Sequence, residues 1–378
     1  MSQKQVKRAK KGFLGVFLFY FFVAFEFAYM AGPFAIYFYS LYSPVLNFLN
    51  KIPVLSGLVR FFLPHVVRET ASPVIGVLQI VDIVCSVAGF VLFIIGACQV
   101  YYSKLRKKGA VLGGLYRYVR HPQYTSFIVC SFGMLLLWPR YIVIIFFVTL
   151  VFAYYFLARA EEVECEEKFG QSYIEYEVKT GRFFPNLLRK EQKVRKARTK
   201  GQKAGMTAAA YVVTLTVMFA GASLLNQVTV NSLYASYDEK SATVALCQLE
   251  TSNINQIVEI AKKEEEVQRY LDRYANSQFQ LNYILPTEWF AAEIPMNGIE
   301  YRKGHSSPAN YDHSQYKLIL TSPELRENTI STGKEILKDT KSLTPIVEVW
   351  VDLNKGQVTK IKDMPKDIKY EGIPEAIY

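Results

Sequence analysis

Long apolar runs alternate with lysine and arginine clusters over the first 225 residues, and both features stop there. A wholly apolar helix needs about 20 residues to cross the hydrocarbon core of a bilayer. Residues 13–31, 74–101 and 206–225 meet that length. The first run follows the basic start SQKQVKRAKKG and lacks a small-residue cleavage site, which predicts an uncleaved anchor. Two further apolar arms, 124–138 and 141–158, turn at Pro139-Arg140 and predict a tight helical hairpin. Residues 45–63 mix apolar positions with Asn47, Asn50, Lys51, Pro53 and Arg60, the pattern of a surface-lying amphipathic segment.

Positive charge orients these spans. Lys4, Lys7, Arg8, Lys10 and Lys11 precede the first run, and Lys104, Arg106, Lys107, Lys108, Arg117 and Arg120 lie between the second and third. Residues 182–203 add nine basic residues against one acid, Glu191. With five spans all three clusters fall on one face, so the N-terminus is expected in the cytoplasm of a bacterial cell and residues 226–378 outside its membrane. The run 189–203 is foremost a topology signal, although it can also meet anionic headgroups. Glu26 and Asp82 stand inside predicted spans, where a carboxylate is expected to meet a neighbouring helix or to line a substrate path.

Charge divides at the same place. Residues 226–378 carry 17 Lys+Arg and 22 Asp+Glu, whereas the remainder has a net charge of +16. The overall +11 is therefore a membrane-topology charge and not a nucleic-acid footprint, and no nucleic-acid partner is expected. The five cysteines form no C-x-x-C pair, and the four histidines form no H-E-x-x-H, so no metal site is expected. The fold class that follows is an all-α polytopic membrane domain of about five transmembrane helices (1–225), joined to a small α+β soluble domain (226–378). In the latter, 253–274 reads as an amphipathic helix with Ile254, Ile257, Val258, Ala261 and Val267 on one face. Residues 278–285, 316–321, 345–353 and 357–361 alternate like strands. The hairpin PIVEVWVDLNKGQVTKI is weakly similar to PepSY-type extracytoplasmic modules. This part carries no catalytic constellation, and a binding or assembly role with a protein partner is expected for it.

The segments on the basic side hold the chemistry. Residues 108–124 read KGAVLGGLYRYVRHPQY and residues 159–185 read RAEEVECEEKFGQSYIEYEVKTGRFFP. The G-x-Y-x-x-x-R-H-P-x-Y block at 114–124, the Glu161-Glu162 pair, Phe169-Gly170 with Tyr173 and Tyr176, and R-F-x-P at 182–185 are similar to the isoprenylcysteine carboxyl methyltransferase and phospholipid methyltransferase family of integral membrane enzymes. The resemblance covers about residues 74–188. It implies S-adenosylmethionine as cofactor, held by Lys108, Gly109, Ala110, Val111, Tyr116, His121, Pro122, Gln123, Tyr124 and Glu161. It also implies Glu162 and Arg182 as catalytic residues, and a lipophilic or lipid-like methyl acceptor arriving from the bilayer.

These residue types suit such a cofactor on their own terms. Pro122 favours the first turn of a helix, and the free N–H groups there, with Arg120 and His121, suit a carboxylate. Tyr116 and Tyr124 offer aromatic faces to an adenine or a sulfonium. A glutamate can hold an ammonium or ribose hydroxyls. No G-x-G-x-x-G occurs, so a soluble dinucleotide-type fold is not the frame. Tyr173 and Tyr176 read as packing residues. Two departures from the family pattern stand out. Thr125 and Ser126 follow Tyr124, and Leu157 occupies the position of an arginine that prenylcysteine-type members use toward substrate, with Arg159 turned about 200° away on a helix. An acceptor other than a free prenylcysteine carboxylate is expected, such as a lipid headgroup amine or a small lipophilic thiol or alcohol. Arg182 is then the nearest alternative cation. Two alternatives remain open on the sequence: a nicotinamide-dependent membrane reductase of similar helical core, and a non-enzymatic envelope scaffold presenting the C-terminal module.

Overall fold

The computed structural model describes residues 43–364, apart from 65–68, 107–109, 187–199, 275–277, 292–293, 295, 297–301, 304–306 and 327–332, together with a few positions between 21 and 37. The run expected at 13–31, with Glu26, lies mostly outside the described residues. Among the described residues three helices are long and apolar enough to cross a membrane: α3 (Pro73–Leu105), α5 (Tyr141–Phe169) and most of α7 (Lys200–Ser232). The hairpin's first arm, α4 (Pro122–Leu137), is apolar but shorter. Prolines set the starts of α3 and α4, where a missing N–H costs nothing because the first turn has no acceptor for it. At the other end of α5, Gly170 has φ +58° and breaks the helix before α6 (Gln171–Lys179). Side chains rarely adopt that conformation, and glycine does so without penalty.

The chain divides into two compact units. One comprises residues 1–40, 85–132 and 146–211, and so holds the second part of α3, the start of α4, the last part of α5, α6 and the start of α7. Within it Phe127 of α4 stacks on Phe34 at 4.6 Å and meets Phe93 of α3 at 4.0 Å, while the buried Tyr37 donates to the Ser131 carbonyl at 2.7 Å.

The other unit comprises residues 41–84, 133–145 and 212–378. It holds the start of α3, the α4–α5 turn, the end of α7 and a six-stranded sheet. Ala71 beside the start of α3 donates to the Ser232 carbonyl at the end of α7, at 2.8 Å. The strands are β1 (Tyr234–Tyr237), β2 (Ser241–Ala245), β3 (Gln280–Pro286), β6 (Gln315–Leu325), β7 (Thr340–Asp352) and β8 (Gln357–Lys362), in the order β1-β2-β3-β6-β7-β8. Among the described residues of this sheet only β2 and β3 pair in parallel. A parallel neighbour needs a long crossover, supplied by α8 (Thr251–Lys263) and α9 (Glu265–Arg273). A separate short ladder joins β4 (Trp289–Phe290) to β5 (Arg302–Lys303). Both faces of the main sheet are covered. Ile254, Ile257, Ala261 and Val267 pack on Leu318, Leu320, Val347 and Val349, whereas Leu281, Tyr283 and Ile319 face Ile336 and Leu337 of α10 (Gly333–Asp339) and Trp289. β2 is only five residues of small side chains, Ser-Ala-Thr-Val-Ala, with little apolar bulk to mark it as a strand.

The segment expected to lie on the surface at 45–63 differs. It forms two short helices, α1 (Ser43–Asn50) and α2 (Pro53–Val59), and then turns inward, with Phe61 buried in the core beside Trp138 and Leu281. The cause is the turn at Pro139-Arg140. Arg140 is itself buried; its Nη1 donates to the Val59 carbonyl at 2.6 Å, and its guanidinium lies 3.9 Å from the Phe61 ring centre. Backbone bonds from Phe62 to Pro139 and from Tyr141 to Arg60 close the pairing. Asp82 is buried on α3 and lines a small pocket with Gln79, Leu63, Pro64 and Ile75.

Candidate active site

The R-H-P block and the R-F-x-P block, some 60 residues apart in the chain, are joined by backbone. Val119 bridges Gly181 in parallel, Arg120 N–H donates to the Gly181 carbonyl at 2.8 Å, and His121 N–H donates to the Arg182 carbonyl at 3.2 Å. Thr125 Oγ1 reaches the Phe183 carbonyl at 3.3 Å. This pairing depends on Gly181, because a Cβ there would collide with the Phe184 carbonyl. The entry of the chain into α4 is thereby pinned against the segment that follows α6.

Glu162 is the electrostatic centre. It is only 4% exposed, and the carboxylate accepts from Arg120 Nε at 2.7 Å and from Arg182 Nε at 2.9 Å, with a further, shorter bond to Arg182 Nη2. Arg120 also donates to the Glu177 and Thr180 carbonyls at 2.8 and 2.7 Å and pairs with the Glu177 carboxylate at 3.2 Å. The guanidinium that the sequence suggested for a ligand carboxylate therefore meets the protein's own carboxylates. Arg120 was absent from the expected site residues, although R-H-P placed it beside His121. What the sequence lacked was the partner, since the orientation of Glu162 follows from where α5 packs.

Glu161 is placed differently. Its side chain is 38% exposed, takes a short hydrogen bond from Tyr124 Oη and lies 3.3 Å from His121 Nδ1. His121 Nε2 is 3.3 Å from Glu162, so the imidazole sits between the two carboxylates. Its burial opposes charging, but those two carboxylates outweigh it and raise its pKa above the ordinary histidine value. The His121 and Tyr124 rings are stacked at 5.6 Å, and Tyr124 stacks on the buried Tyr154 at 4.8 Å. Tyr154, one helical face with Glu161, is a second wall residue that the motif did not announce.

The remaining expected residues are more peripheral. Pro122 is buried and begins α4, and Gln123 lies against the Gly96 position of α3. Tyr116 belongs to a single 3-10 turn (Gly114–Arg117) whose Leu115 N–H is held by Gln99 Oε1 at 3.1 Å. The Tyr116 carbonyl accepts from Tyr176 Oη at 2.5 Å, and burial pushes the Tyr176 phenol up to about 12. Tyr173 and Tyr176 are both buried on α6. Ala110 and Val111 lie in the segment before the 3-10 turn. Lys108 and Gly109 lie outside the described residues.

The arrangement joins a buried ion cluster to a half-exposed carboxylate walled by aromatic rings, and it falls on the stretch with a recognisable relative. Residues 74–172 match the phospholipid methyltransferase family model. The phospholipid methyltransferase match takes in α3, α4, α5 and the break at Gly170, and with them Arg120, His121, Tyr124, Glu161 and Glu162. The sheet lies outside it. No curated protein and no solved structure matches the chain. The match, with the apolar helices, suggests a membrane methyltransferase segment, and that family implies S-adenosylmethionine as the methyl donor.

The residues present fit that donor. Its sulfonium and ammonium are cations, and the exposed side of the site offers a carboxylate, Glu161, oriented by the buried Tyr124 and by His121.

Proposed function

We propose that the chain transfers a methyl group from S-adenosylmethionine to a lipophilic acceptor, most simply an amine in a lipid headgroup. The observation that carries this reading is the division of labour between adjacent glutamates. Glu162 is saturated by two arginines, whereas Glu161 presents a carboxylate to the exposed side, oriented by Tyr124 and His121. The cofactor supplies an electrophilic methyl group on a sulfonium. Glu161, held by Tyr124 and His121, meets its cationic portion, and Tyr116, Pro122, Gln123, Ala110 and Val111 line the neighbouring chain; Lys108 and Gly109, which the family resemblance adds, lie outside the described residues.

An amine attacks as its neutral form, so the acceptor must lose a proton. Glu161 is the exposed carboxylate of the site and the group placed to take that proton, whereas His121 is buried and engaged by both Glu161 and Glu162. Glu162 and Arg182 act through what they hold: they fix Arg120, His121 and the 181–183 segment. Displacement at carbon asks mainly for alignment and for exclusion of water, and a rigid ion cluster under the site suits that demand.

The same reading gives a topology. Lysine and arginine cluster before the first apolar run, after α3 and before α7, in the segments that flank the Glu161 region. This supports a cytoplasmic site and N-terminus, with residues 226–378 as an extracytoplasmic domain after the membrane domain of residues 1–225. A protein partner is the proposed role for that domain. The test is transfer of labelled methyl from S-adenosylmethionine into a membrane lipid extract by the purified chain. Label in a lipid fraction is expected, and its absence while donor binding persists would remove the lipid acceptor.

A further inference from the structure

The apolar stretch at residues 87–98 of α3 ends on a half-buried amide, Gln99. A buried amide is costly unless it is hydrogen-bonded, and Gln99 finds its partner outside its own helix. Its Oε1 accepts from the Leu115 N–H at 3.1 Å, in the 3-10 turn Gly114–Arg117. The turn is shaped to that amide. Gly114 has φ +63°, and a Cβ there would collide with Gln99 Nε2. Gly96, three residues earlier on α3, faces Leu115 and Gln123, so the same side of α3 meets both the turn and the start of α4.

A single 3-10 turn of four residues has little stability of its own, so its place is set by what holds it. On the far side Tyr176 Oη of α6 donates to the Tyr116 carbonyl at 2.5 Å. Gln99 and Tyr176 therefore grip adjacent residues from opposite helices. What the turn carries is Tyr116. Burial raises the pKa of its phenol and the Glu161 carboxylate adds to the rise, which sets this ring near the exposed glutamate of the site. We propose that Gln99 is a positioning residue for the methyl donor: from α3 it fixes the turn Gly114–Arg117, and so holds Tyr116 toward Glu161. This inference rests on the donor reading above and gives a role to a residue outside both the R-H-P block and the glutamate pair.

The test is equilibrium binding of S-adenosylmethionine to the full chain in detergent, read beside amide hydrogen exchange. Gln99→Met keeps the bulk and removes the acceptor, and should weaken binding about three- to tenfold. Gln99→Glu keeps an accepting oxygen and should bind within about twofold of wild type. Cys98→Ala, exposed on the same turn of α3, should bind as wild type does. In a Tyr116→Ala background Gln99→Met should add less than about twofold, because the two act in series. Exchange at Leu115 should quicken in Gln99→Met, while Arg120 and His121, bonded to Gly181 and Arg182, keep their protection. If Gln99→Met folds poorly, Gly114→Ala strikes the same contact from the turn, and weaker binding is expected there too. Undiminished affinity in the variant that folds, equal losses in Gln99→Met and Gln99→Glu, or a full additional loss in the Tyr116→Ala background would each overturn the positioning role. Failure of the wild-type chain itself to bind S-adenosylmethionine would instead overturn the donor reading on which the role rests.

Discussion

Arg120 and Glu162 form a buried pair, Nε to Oε1 at 2.7 Å, with both side chains less than a tenth exposed. The pair joins the start of α4 to the C-terminal part of α5 and, through Arg182, to the segment after α6. Removing one member of such a pair leaves an uncompensated charge, a loss of about 3–5 kcal/mol. Glu162→Ala should therefore lower the thermal midpoint of the detergent-solubilised protein far more than Glu164→Ala, read by circular dichroism. Equal midpoints would mean that the ion cluster is not a structural keystone.

Gly181 is the tightest point of the joint. An alanine there must displace the Phe184 carbonyl, and overpacking of this kind costs about 1–3 kcal/mol. Gly181→Ala should loosen the 181–183 pairing with Arg120 and His121, seen as faster amide hydrogen exchange at those residues. Protection identical to wild type would show that the turn relaxes without affecting the site.

His121 gives the cluster a pH dependence of known sign. Its folded pKa is raised, so the stability it contributes is fully present below the unfolded value of about 6.5 and is lost as pH rises through the folded pKa. Thermal midpoints of wild type and His121→Gln, compared between about pH 6 and pH 9, should differ most at the acid end and converge toward the alkaline end. A difference that grew with pH would reverse the assignment.

Lys317 in the sheet behaves oppositely. Burial drives its pKa down to about 8, only partly offset by Glu348. Because the folded pKa is depressed, the favourable contribution is present above the unfolded value of about 10.4 and is lost as pH falls through about 8. At neutral pH the residue thus carries a desolvation cost, and Lys317→Met should stabilise the sheet at pH 7 more than at pH 10. Denaturant midpoints followed by the fluorescence of Trp289 and Trp350 measure this, and destabilisation at pH 7 would show that the charge is well solvated or well paired.

Much of this was legible in the residues themselves. Apolar length placed α3, α4, α5 and α7, and alternation placed β3, β6, β7 and β8 to within a few residues apart from the longer N-terminal reach of β7. The buried helical face of Ile254, Ile257, Ala261 and Val267 was also apparent. The break at Glu264 was not, because the apolar period continues across it into α9. Nor was the inward turn at Phe61, since its partner Arg140 is contributed by a distant hairpin. At the site, spacing brought His121, Tyr124, Glu161, Glu162 and Arg182 into one group. It could not tell Glu161 from Glu162, because one residue is 100° of helix and only the packing of α5 decides which carboxylate is buried.

The central claim is that Glu161 is the carboxylate that meets the donor. Equilibrium binding of S-adenosylmethionine to the purified full chain, compared with Glu161→Gln and Glu164→Gln, tests it directly. Loss of a charge-assisted bond is worth roughly 1.5–3 kcal/mol, so Glu161→Gln should bind about ten- to a hundredfold more weakly while Glu164→Gln binds as wild type does. Saturable binding of equal strength in all three proteins would contradict the account.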